Sequence, residues 1–290
     1  MKHEPNSLPP RSALFVPGDK PRAIEKAPGL GADALILDLE DAVAPANKPA
    51  ARQGARDAIA HFRSAGALTV IRVGEPGSPE LAADLKAVSE SAPDAVLVAK
   101  VDEAQTLRPI RQALDSAGLT IPIWAMIETP LALTGLDQYR TAASELGISL
   151  LMAGVNDLAE GLRLPEHARR AGCEPHLAQL VLQARAANLH VIDGVYNAYQ
   201  DPEGFKIEAE AGRALGFDGK SLIHPSQVAP ANTAFGPSFS EITWARRVVD
   251  AFADPANADK GAVALDGRMV EAMHARQAQA VLARAPTQEE

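Results

Sequence analysis

The stretch that decides the fold is DALILDLED at residues 33–41, an apolar, β-rich run that ends in acidic residues. A segment with helical spacing of Ala and other apolar residues follows it at residues 49–62. A short continuous apolar run of this kind is typical of a strand that is buried on both faces, as in a parallel sheet covered by helices. The two segments together predict one βα unit.

Seven further runs of this kind are found along the chain, and most are followed by a turn and a helical stretch. They are residues 12–18, 68–74, 95–101, 121–129, 148–154, 190–196 and 218–224. A strand, a crossover helix and two turns need about 30 residues, which matches the spacing of the runs. Neither a G-x-G-x-x-G nor a Walker A phosphate loop is present, which disfavours a doubly wound open sheet. The sequence predicts an α/β fold, a (β/α)8 TIM barrel over residues 11–235.

The two ends of the chain lie outside the predicted barrel. Residues 1–10 are polar and rich in proline, and we expect them to form a flexible N-terminal tail. Residues 236–290 form a C-terminal helical extension, with helices predicted at 240–252 and 267–282 and a loop at 253–266. Because these helices are amphipathic and have no strand of their own, we expect them to pack on the barrel rim or on a neighbouring subunit.

Composition excludes several classes of function. The formal net charge is −9, which disfavours a nucleic-acid partner because duplex binding needs a cationic surface. No apolar run reaches the ~18 residues of a membrane span. Cys173 is the sole cysteine, so no intrachain disulfide can form, and a cytoplasmic location is expected.

Charged or polar residues stand at or near the ends of most of the predicted strands, which is where barrel enzymes carry their chemistry. They are Asp38, Glu40, Asp41, Arg72, Lys100, Glu128, Asp157, Asp193 and His224. Any one of them alone could be a solvated turn or a structural ion pair. Taken together, they predict a polar site at the mouth of the barrel.

Within that set, Glu128 and Asp157 come from consecutive units and would face the same mouth. Two carboxylates without nearby histidine or thiolate ligands favour Mg²⁺, which completes its coordination with water and substrate oxygens. Arg72 would lie at the same mouth, where its guanidinium can clamp a carboxylate or a keto acid. The implied substrate is a small, oxygen-rich anion.

Two groups of basic residues remain. Lys20, Arg22 and Lys26 follow the first strand and could attract a phosphate at a helix N-terminus, although an exposed basic turn explains them equally well. Lys48, Arg52 and Arg56 recur at helical spacing, which predicts a solvated helix stripe.

Several phrases of the sequence resemble the HpcH/HpaI aldolase family that includes citrate lyase beta subunits and malyl-CoA lyases. They occur in family order and span residues 11–282. They include MIET (126–129), GVNDLA (154–159) and DGRMVE (266–271), and the phrases that are specific in combination are LFVPG (14–18), DLEDAV (38–43) and GKSLIHPSQ (219–227).

The resemblance implies a Mg²⁺-dependent barrel, a homotrimer or homohexamer, that cleaves or forms a carbon–carbon bond. Its substrate would be a 3-hydroxyacyl-CoA thioester such as malyl-CoA or citramalyl-CoA, and its products an acyl-CoA and a 2-keto acid. By motif, Glu128 and Asp157 match the metal ligands, and Arg72 matches the catalytic arginine that holds the keto acid. The residues that match substrate contacts are Phe15, Val16, Lys20, Lys26, Glu128, Asn156, Ile223 and His224.

Three positions depart from the family pattern. Glu271 stands where the family has the aspartate base of the G-[KR]-M-[VI]-D phrase, which a neighbouring subunit contributes. Gly74 replaces a common asparagine, and Asn156 replaces an acidic residue before Asp157. We therefore expect a divergent substrate within the family.

Three alternative functions stay open at this stage. The chain could be a citrate lyase beta subunit that acts on citryl bound to an acyl carrier protein. It could also be an aldolase for free 2-keto acids, without CoA. The replacement at Glu271 leaves room for a non-catalytic barrel that binds CoA esters.

Overall fold

The computed structural model describes residues 8–257 and 260–285, which fall into two compact units divided between Phe235 and Gly236. In the first unit, eight parallel strands close into a barrel, because β1 pairs with β2 on one side and with β8 on the other. The predicted (β/α)8 barrel is therefore confirmed. The strands are β1 Ser12–Pro17, β2 Ala34–Asp38, β3 Leu68–Val73, β4 Ala95–Val98, β5 Ile123–Ile127, β6 Ile148–Ala153, β7 His190–Asp193 and β8 Gly219–Leu222.

Helices surround the barrel, and short 3-10 turns precede or follow several of them. The helices of the first unit are α1 Pro21–Lys26, α2 Lys48–Ser64, α3 Leu81–Ser91, α4 Arg108–Ser116, α5 Pro130–Thr134, α6 Tyr139–Leu146, α7 Val155–Gly161, α8 Arg169–Ala186, α9 Pro202–Leu215 and α10 Val228–Phe235. Helix α8 carries Pro175 inside it. Within the described residues, no helix combines the length and the apolar character needed to cross a membrane.

Side chains alternate along each strand between the barrel interior and the layer under the helices. On β2, Ala34 and Ile36 belong to the interior cluster, while Leu35 and Leu37 pack in the outer layer. Because both faces are covered, every residue of this strand is buried. Position along a strand therefore decides which polar side chains reach the interior and its mouth.

The second unit contains a hairpin that the sequence analysis did not predict. Its elements are α11 Phe239–Ala253, β9 Ala262–Leu265, β10 Arg268–Glu271 and α12 Ala272–Ala283. Residues 268–271, predicted as helix, form a strand antiparallel to β9. The cause is the Asp266-Gly267 turn, where both residues have positive φ (51° and 71°), as a tight two-residue hairpin turn requires.

The N-terminal boundary also differs from the prediction. Residues 1–7 of the predicted tail lie outside the described residues, but Pro10 is buried. A β-carbon built on Gly219 would lie 2.1 Å from the carbonyl oxygen of Pro10, so this proline packs directly on β8. Contact with the barrel therefore starts before residue 11.

Two of the three basic residues predicted as a solvated stripe on α2 are held by specific contacts, while the third, Arg56, pairs with Glu90 at the surface. The Lys48 ammonium donates to the carbonyls of Leu39 and Glu40 at 2.5 and 3.0 Å. Arg52 donates to the buried carboxylate of Asp84 at 2.8 Å. These contacts place the two basic side chains against the neighbouring loops, because α2 packs between the β2 loop and α3.

Candidate active site

Asp38 and Arg72 are register partners on β2 and β3, and both point into the mouth of the barrel. Arg72 Nε and Nη2 donate to the two oxygens of Asp38 at 2.7 and 2.5 Å. Its Nη1 lies 3.1 Å from Glu40 Oε2, and its guanidinium stands 4.8 Å from the centre of the Phe15 ring. Burial disfavours the charged guanidinium, but Asp38 and Glu40 outweigh it and raise the pKa of Arg72. Arg72 is thus a fixed cation in one orientation.

Glu128 follows β5, and Asp157 stands in the first turn of α7. The Glu128 side chain is buried, with 2 % of the residue exposed. Burial and the adjacent Asp157 carboxylate raise the pKa of Glu128 to about 8, although the backbone N–H of Lys100 donates to its Oε1 at 2.6 Å and works against the shift. Two carboxylates held side by side repel each other and favour a cation between them.

Gly154, at the end of β6, makes room for the Glu128 carboxylate. A β-carbon at this position would lie 2.3 Å from both Cβ and Oε2 of Glu128, closer than real atoms approach. The close packing of a glycine backbone against a buried carboxylate fixes where that carboxylate points. The sequence signal was the glycine directly after an apolar run, which the sequence analysis did not use.

Lys100 belongs to the predicted set of strand-end charges, but the sequence analysis gave it no individual role in the site. It follows β4 with a positive φ of 50°, which is uncommon for a residue other than glycine. Its Nζ lies 3.1 Å from Glu40 Oε1 and 3.7 Å from Asp41 Oδ1. Burial lowers the pKa of Lys100, but the carboxylates of Glu40 and Asp41 outweigh burial, so the pKa is raised overall. Lys100 therefore stays cationic and links the β2 acids to Glu128.

These groups open into a cavity of about 320 Å³ at the carboxyl ends of the strands. Eight of the residues predicted for the site line it, and they come from six strands or the loops that follow them: Phe15, Asp38, Asp41, Arg72, Glu128, Asn156, Asp157 and Ile223. Met126, Val195 and Ser221 also line it. The wall is therefore mixed, since carboxylates and apolar side chains both line it.

Four residues predicted to contact substrate do not line this cavity. Val16 packs in the outer core between barrel and helices, because it is next to the inward-facing Phe15 on the same strand. Any contact of Val16 with a ligand would go through its backbone. Lys20 is exposed, and its Nζ lies 3.4 Å from Asp19 Oδ2. Lys26 is exposed at the last turn of α1, so it does not open that helix as predicted.

His224 is the fourth of these residues. Its ring stacks on Tyr199, with 4.5 Å between ring centres, and its Nδ1 accepts from the backbone N–H of Ser226. Tyr199 belongs to the loop after β7. From the same loop, Asn197 exchanges two amide hydrogen bonds with Asn156, at 2.7 and 3.2 Å. The loop thus joins the ends of β6 and β8 beside the cavity.

Asp193 is the strand-end charge that the structure removes from the mouth. It faces the helices, where its two oxygens pair with Arg170 at 2.7 Å and Lys220 at 2.9 Å. Glu208 completes this buried cluster by accepting from Lys220 at 2.8 Å. The reason is strand alternation, since the preceding Ile192 occupies the interior. Asp193 therefore stabilises the packing of α8 and α9 on the barrel.

Gly74 and Glu271, two of the residues that depart from the family pattern, lie in different units of the structure. Gly74 does not line the cavity; a β-carbon there would lie 2.9 Å from Ser78 Oγ and 3.9 Å from Asp84. The replacement at Gly74 therefore lies outside this cavity. Glu271 ends β10 in the second unit, where it is exposed and its backbone N–H donates to His274 Nδ1 at 2.8 Å.

The donor set at the mouth fits a hard divalent cation. Among residues 8–257 and 260–285, no cluster of three or more His, Cys, Asp or Glu side chains is arranged around one metal position. The mouth instead offers the two carboxylates of Glu128 and Asp157. Mg²⁺ needs only one or two carboxylates and takes its other ligands from water and substrate.

Comparison with known proteins places the chain in one family. Residues 11–225 match the family model HpcH/HpaI aldolase/citrate lyase. A (3S)-malyl-CoA thioesterase of Cereibacter sphaeroides is 39 % identical over 98 % of this chain and 97 % of its own length. The citrate lyase subunit beta of Escherichia coli K12 is 33 % identical over 95 % of this chain and 93 % of its own.

Solved structures agree as well. Protein CitE of Mycobacterium tuberculosis, in complex with magnesium, acetoacetate and coenzyme A, superposes with a TM-score of 0.75 at 30 % identity, covering 94 % of this chain and 97 % of that one. A citrate lyase beta subunit of M. tuberculosis complexed with oxaloacetate and magnesium has a TM-score of 0.68 at 30 % identity, covering 78 % and 97 %. The chain is a barrel protein of the aldolase type. It belongs to the HpcH/HpaI aldolase/citrate lyase family.

Proposed function

We propose that this chain is a Mg²⁺-dependent carbon–carbon lyase that cleaves or forms a 3-hydroxyacyl-CoA thioester such as malyl-CoA or citramalyl-CoA. The products of cleavage would be an acyl-CoA and a 2-keto acid. The observation that carries the proposal is the buried Glu128 carboxylate beside Asp157, at the mouth of a barrel of this family. A family member has been solved with magnesium, a keto acid and coenzyme A together, which supports the same set of ligands here.

Each side chain at the mouth has a role that follows from its contacts. Glu128 and Asp157 would hold Mg²⁺, which when bound polarises a carbonyl oxygen and lowers the barrier to bond cleavage next to it. Arg72, fixed by Asp38, would hold the carboxylate or carbonyl of the keto acid with the guanidinium hydrogens left over from the protein. Lys100 would keep Glu128 in place through its backbone N–H.

The reaction also needs a group that exchanges a proton with the carbon next to the thioester. We assign this role to Glu271, supplied by a neighbouring subunit as the family resemblance implies. The homotrimer or homohexamer that would bring it to the mouth stays a prediction, as does the cytoplasmic location. Lys20, Lys26, Ile223 and His224 remain candidates for binding the CoA portion, and of these Ile223 lines the cavity.

A second candidate function is hydrolysis of the same thioester. It is favoured by the relative named (3S)-malyl-CoA thioesterase, which matches 98 % of this chain. Hydrolysis breaks the carbon–sulfur bond, consumes water and releases a free thiol. Lysis breaks a carbon–carbon bond, consumes no water and leaves the thioester intact. The two functions can therefore be distinguished by their products.

The test is to incubate the full-length protein with Mg²⁺ and malyl-CoA, and to measure keto acid and free thiol in the same sample. We expect keto acid to equal the substrate consumed, without thiol release. Thiol release without keto acid would establish the thioesterase. Activity only on a citryl group bound to a carrier protein would establish that the chain acts as a citrate lyase beta subunit. Binding of CoA esters without turnover of any of them would establish the non-catalytic barrel.

The metal assignment needs its own control. The Glu128→Ala variant should lose most of the Mg²⁺-dependent rate, because one of the two carboxylates is removed. If keto-acid release by this variant matched that of the wild type, the metal site would lie elsewhere. Calorimetry with pyruvate and Mg²⁺, with and without CoA, separates an aldolase for free keto acids from the thioester lyase.

A further inference from the structure

Gln227 is a buried amide near the cavity that the proposed function leaves without a role. It is the last residue of the GKSLIHPSQ stretch (219–227), and it ends the 3-10 turn Pro225–Gln227 after β8. Only 2 % of the residue is exposed, and it does not line the cavity. A buried amide needs partners for its oxygen and its nitrogen, because an unpaired polar group inside a protein is costly. The partners of Gln227 therefore indicate what it holds together.

Within the described residues, the Gln227 side chain makes three hydrogen bonds, and all of them go to backbone groups. Its Oε1 accepts from the N–H groups of Ile223 and His224 at 3.1 and 3.2 Å, directly after β8. Its Nε2 donates to the carbonyl of Tyr196 at 2.8 Å, in the loop after β7. One amide thus bonds the loop after β7 to the loop after β8.

The backbone groups that Gln227 bonds lie beside the wall of the cavity. Ile223 lines the cavity, and so does Val195, which directly precedes Tyr196. The parallel ladder between β7 and β8 ends at Asp193. Past this point the spacing between the two loops depends on contacts made by side chains. Gln227 supplies such a contact on both sides.

A second contact joins the same two loops at the protein surface. It is the stacking of Tyr199 on His224, and Tyr199 is 46 % exposed. Hydrogen bonds shielded from water are stronger than those that water can replace. The buried Gln227 amide therefore restrains the two loops more firmly than the exposed stack does.

From these contacts we infer that Gln227 is a positioning residue, which fixes Val195 and Ile223 in the cavity wall through the backbone of their two loops. The inference rests on the proposed function, since Ile223 is a candidate for binding the CoA portion of the thioester. Loss of the amide should therefore weaken binding of an acyl-CoA. It should leave the affinity for Mg²⁺ unchanged, because Gln227 bonds neither Glu128 nor Asp157.

The experiment measures binding of acetyl-CoA to the full-length protein in saturating Mg²⁺ by calorimetry. Gln227→Met keeps the length of the side chain and removes the three hydrogen bonds. The freed backbone groups must then move toward water, so we expect acetyl-CoA to bind about tenfold more weakly. The affinity for Mg²⁺ should match that of the wild type. In turnover of malyl-CoA, KM should rise while kcat changes little.

Asn232→Leu is the matched control, because Asn232 also links distant segments through its amide. It accepts from Ser12 Oγ at 2.6 Å and donates to the carbonyl of Gly31 at 2.8 Å. These partners lie at the amino-terminal ends of β1 and β2, at the opposite end of the barrel from the cavity. The control should lose stability in urea unfolding but bind acetyl-CoA as the wild type does.

Gln227→Glu is the conservative variant. It retains an oxygen for the N–H groups of Ile223 and His224 but loses the donor to Tyr196. Its affinity for acetyl-CoA should lie between those of the wild type and Gln227→Met. If Gln227→Met does not fold, Gln227→Glu decides the question, and it should still bind acetyl-CoA several-fold more weakly than the wild type.

Wild-type affinity for acetyl-CoA in a folded Gln227→Met protein would overturn the inference, as would wild-type affinity in Gln227→Glu if that variant alone folds. An equal loss in Asn232→Leu would also overturn it, because general loosening of the barrel would then be the cause. If the wild type itself did not bind acetyl-CoA in Mg²⁺, the proposed function would fail and the inference with it. That result differs from equal binding by wild type and variant, which leaves the proposed function intact.

Discussion

The backbone N–H of Lys100 donates to Glu128 Oε1 at 2.6 Å, from a residue held in the left-handed conformation with φ of 50°. This conformation costs a residue with a β-carbon about 1 kcal/mol or more. The structure therefore accepts local strain at the end of β4 and uses it to position a buried carboxylate. Strain of this kind is expected where function requires one orientation of a side chain.

Two variants of Lys100 test that strain. Lys100→Gly and Lys100→Ala both remove the ammonium, but glycine adopts the left-handed conformation without steric cost. Urea unfolding should show the glycine variant to be more stable than the alanine variant by about 0.5–1 kcal/mol. Greater stability of the alanine variant would mean that this backbone conformation carries no strain.

The contact between Gly154 and Glu128 predicts a loss of metal affinity. In Gly154→Ala the new β-carbon would occupy space 2.3 Å from Glu128 Oε2, so the carboxylate must move. We expect Mg²⁺ affinity, measured by calorimetry, to fall about tenfold or more. Gly29→Ala is the matched control, because its β-carbon meets no atom within 4 Å. Equal affinities in both variants would exclude Gly154 from the positioning of Glu128.

The buried cluster at Asp193 predicts how stability depends on pH. Burial raises the pKa of Asp193, but Lys220 and Arg170 outweigh it and leave the pKa below the ordinary value of about 3.9. The unfolded chain therefore binds a proton near pH 4 that the folded chain does not. The stability that this group contributes is present above that pH, and it is lost as the pH falls through the folded-state pKa.

We expect urea unfolding of the wild type to lose more free energy between pH 5 and pH 3.5 than unfolding of Asp193→Asn over the same interval. The variant should be less stable at neutral pH, because Lys220 is left buried without that partner. Parallel loss of stability in the two proteins would show that Asp193 is not held ionised by the cluster.

Glu271 is tested by the split between kcat and KM. Glu271→Gln removes the proposed base and should lower kcat about 100-fold or more, while KM for the thioester changes little. Glu271→Asp retains a carboxylate and should keep more activity than Glu271→Gln. Asp250→Asn, another exposed acid of the second unit, serves as the control. A fully active Glu271→Gln enzyme would remove this residue from the chemistry.

Much of the barrel and part of its mouth could be predicted from the sequence. Continuous apolar runs with regular spacing give the strands, and charged residues at their ends gave Arg72, Glu128 and Asp157, which the cavity brings together. The same pattern predicts Asp193 at the mouth, and this prediction is wrong because the side chain faces the helices. A shift of one residue along a strand moves a side chain to the other face, and strand ends cannot be located so finely from sequence.

Other features depend on backbone geometry or on contacts between distant residues. The left-handed conformation of Lys100 and its bond to Glu128 have no signal in the sequence, because lysine seldom adopts it. The pairing of Arg72 with Asp38 needs the register of two strands. The hairpin at Asp266-Gly267 did have a signal, since this dipeptide favours a tight turn, and the helical pattern around it concealed the strands.

In the proposed mechanism, Glu128 and Asp157 together would hold the divalent cation at which the keto acid binds. The most direct measurement is anomalous diffraction from crystals of the full-length protein soaked with Mn²⁺, as a substitute for Mg²⁺, and pyruvate. We expect one strong anomalous peak beside the carboxylates of Glu128 and Asp157, with pyruvate oxygens next to it. A peak at any other residues, or pyruvate bound at the mouth without metal, would contradict this metal site.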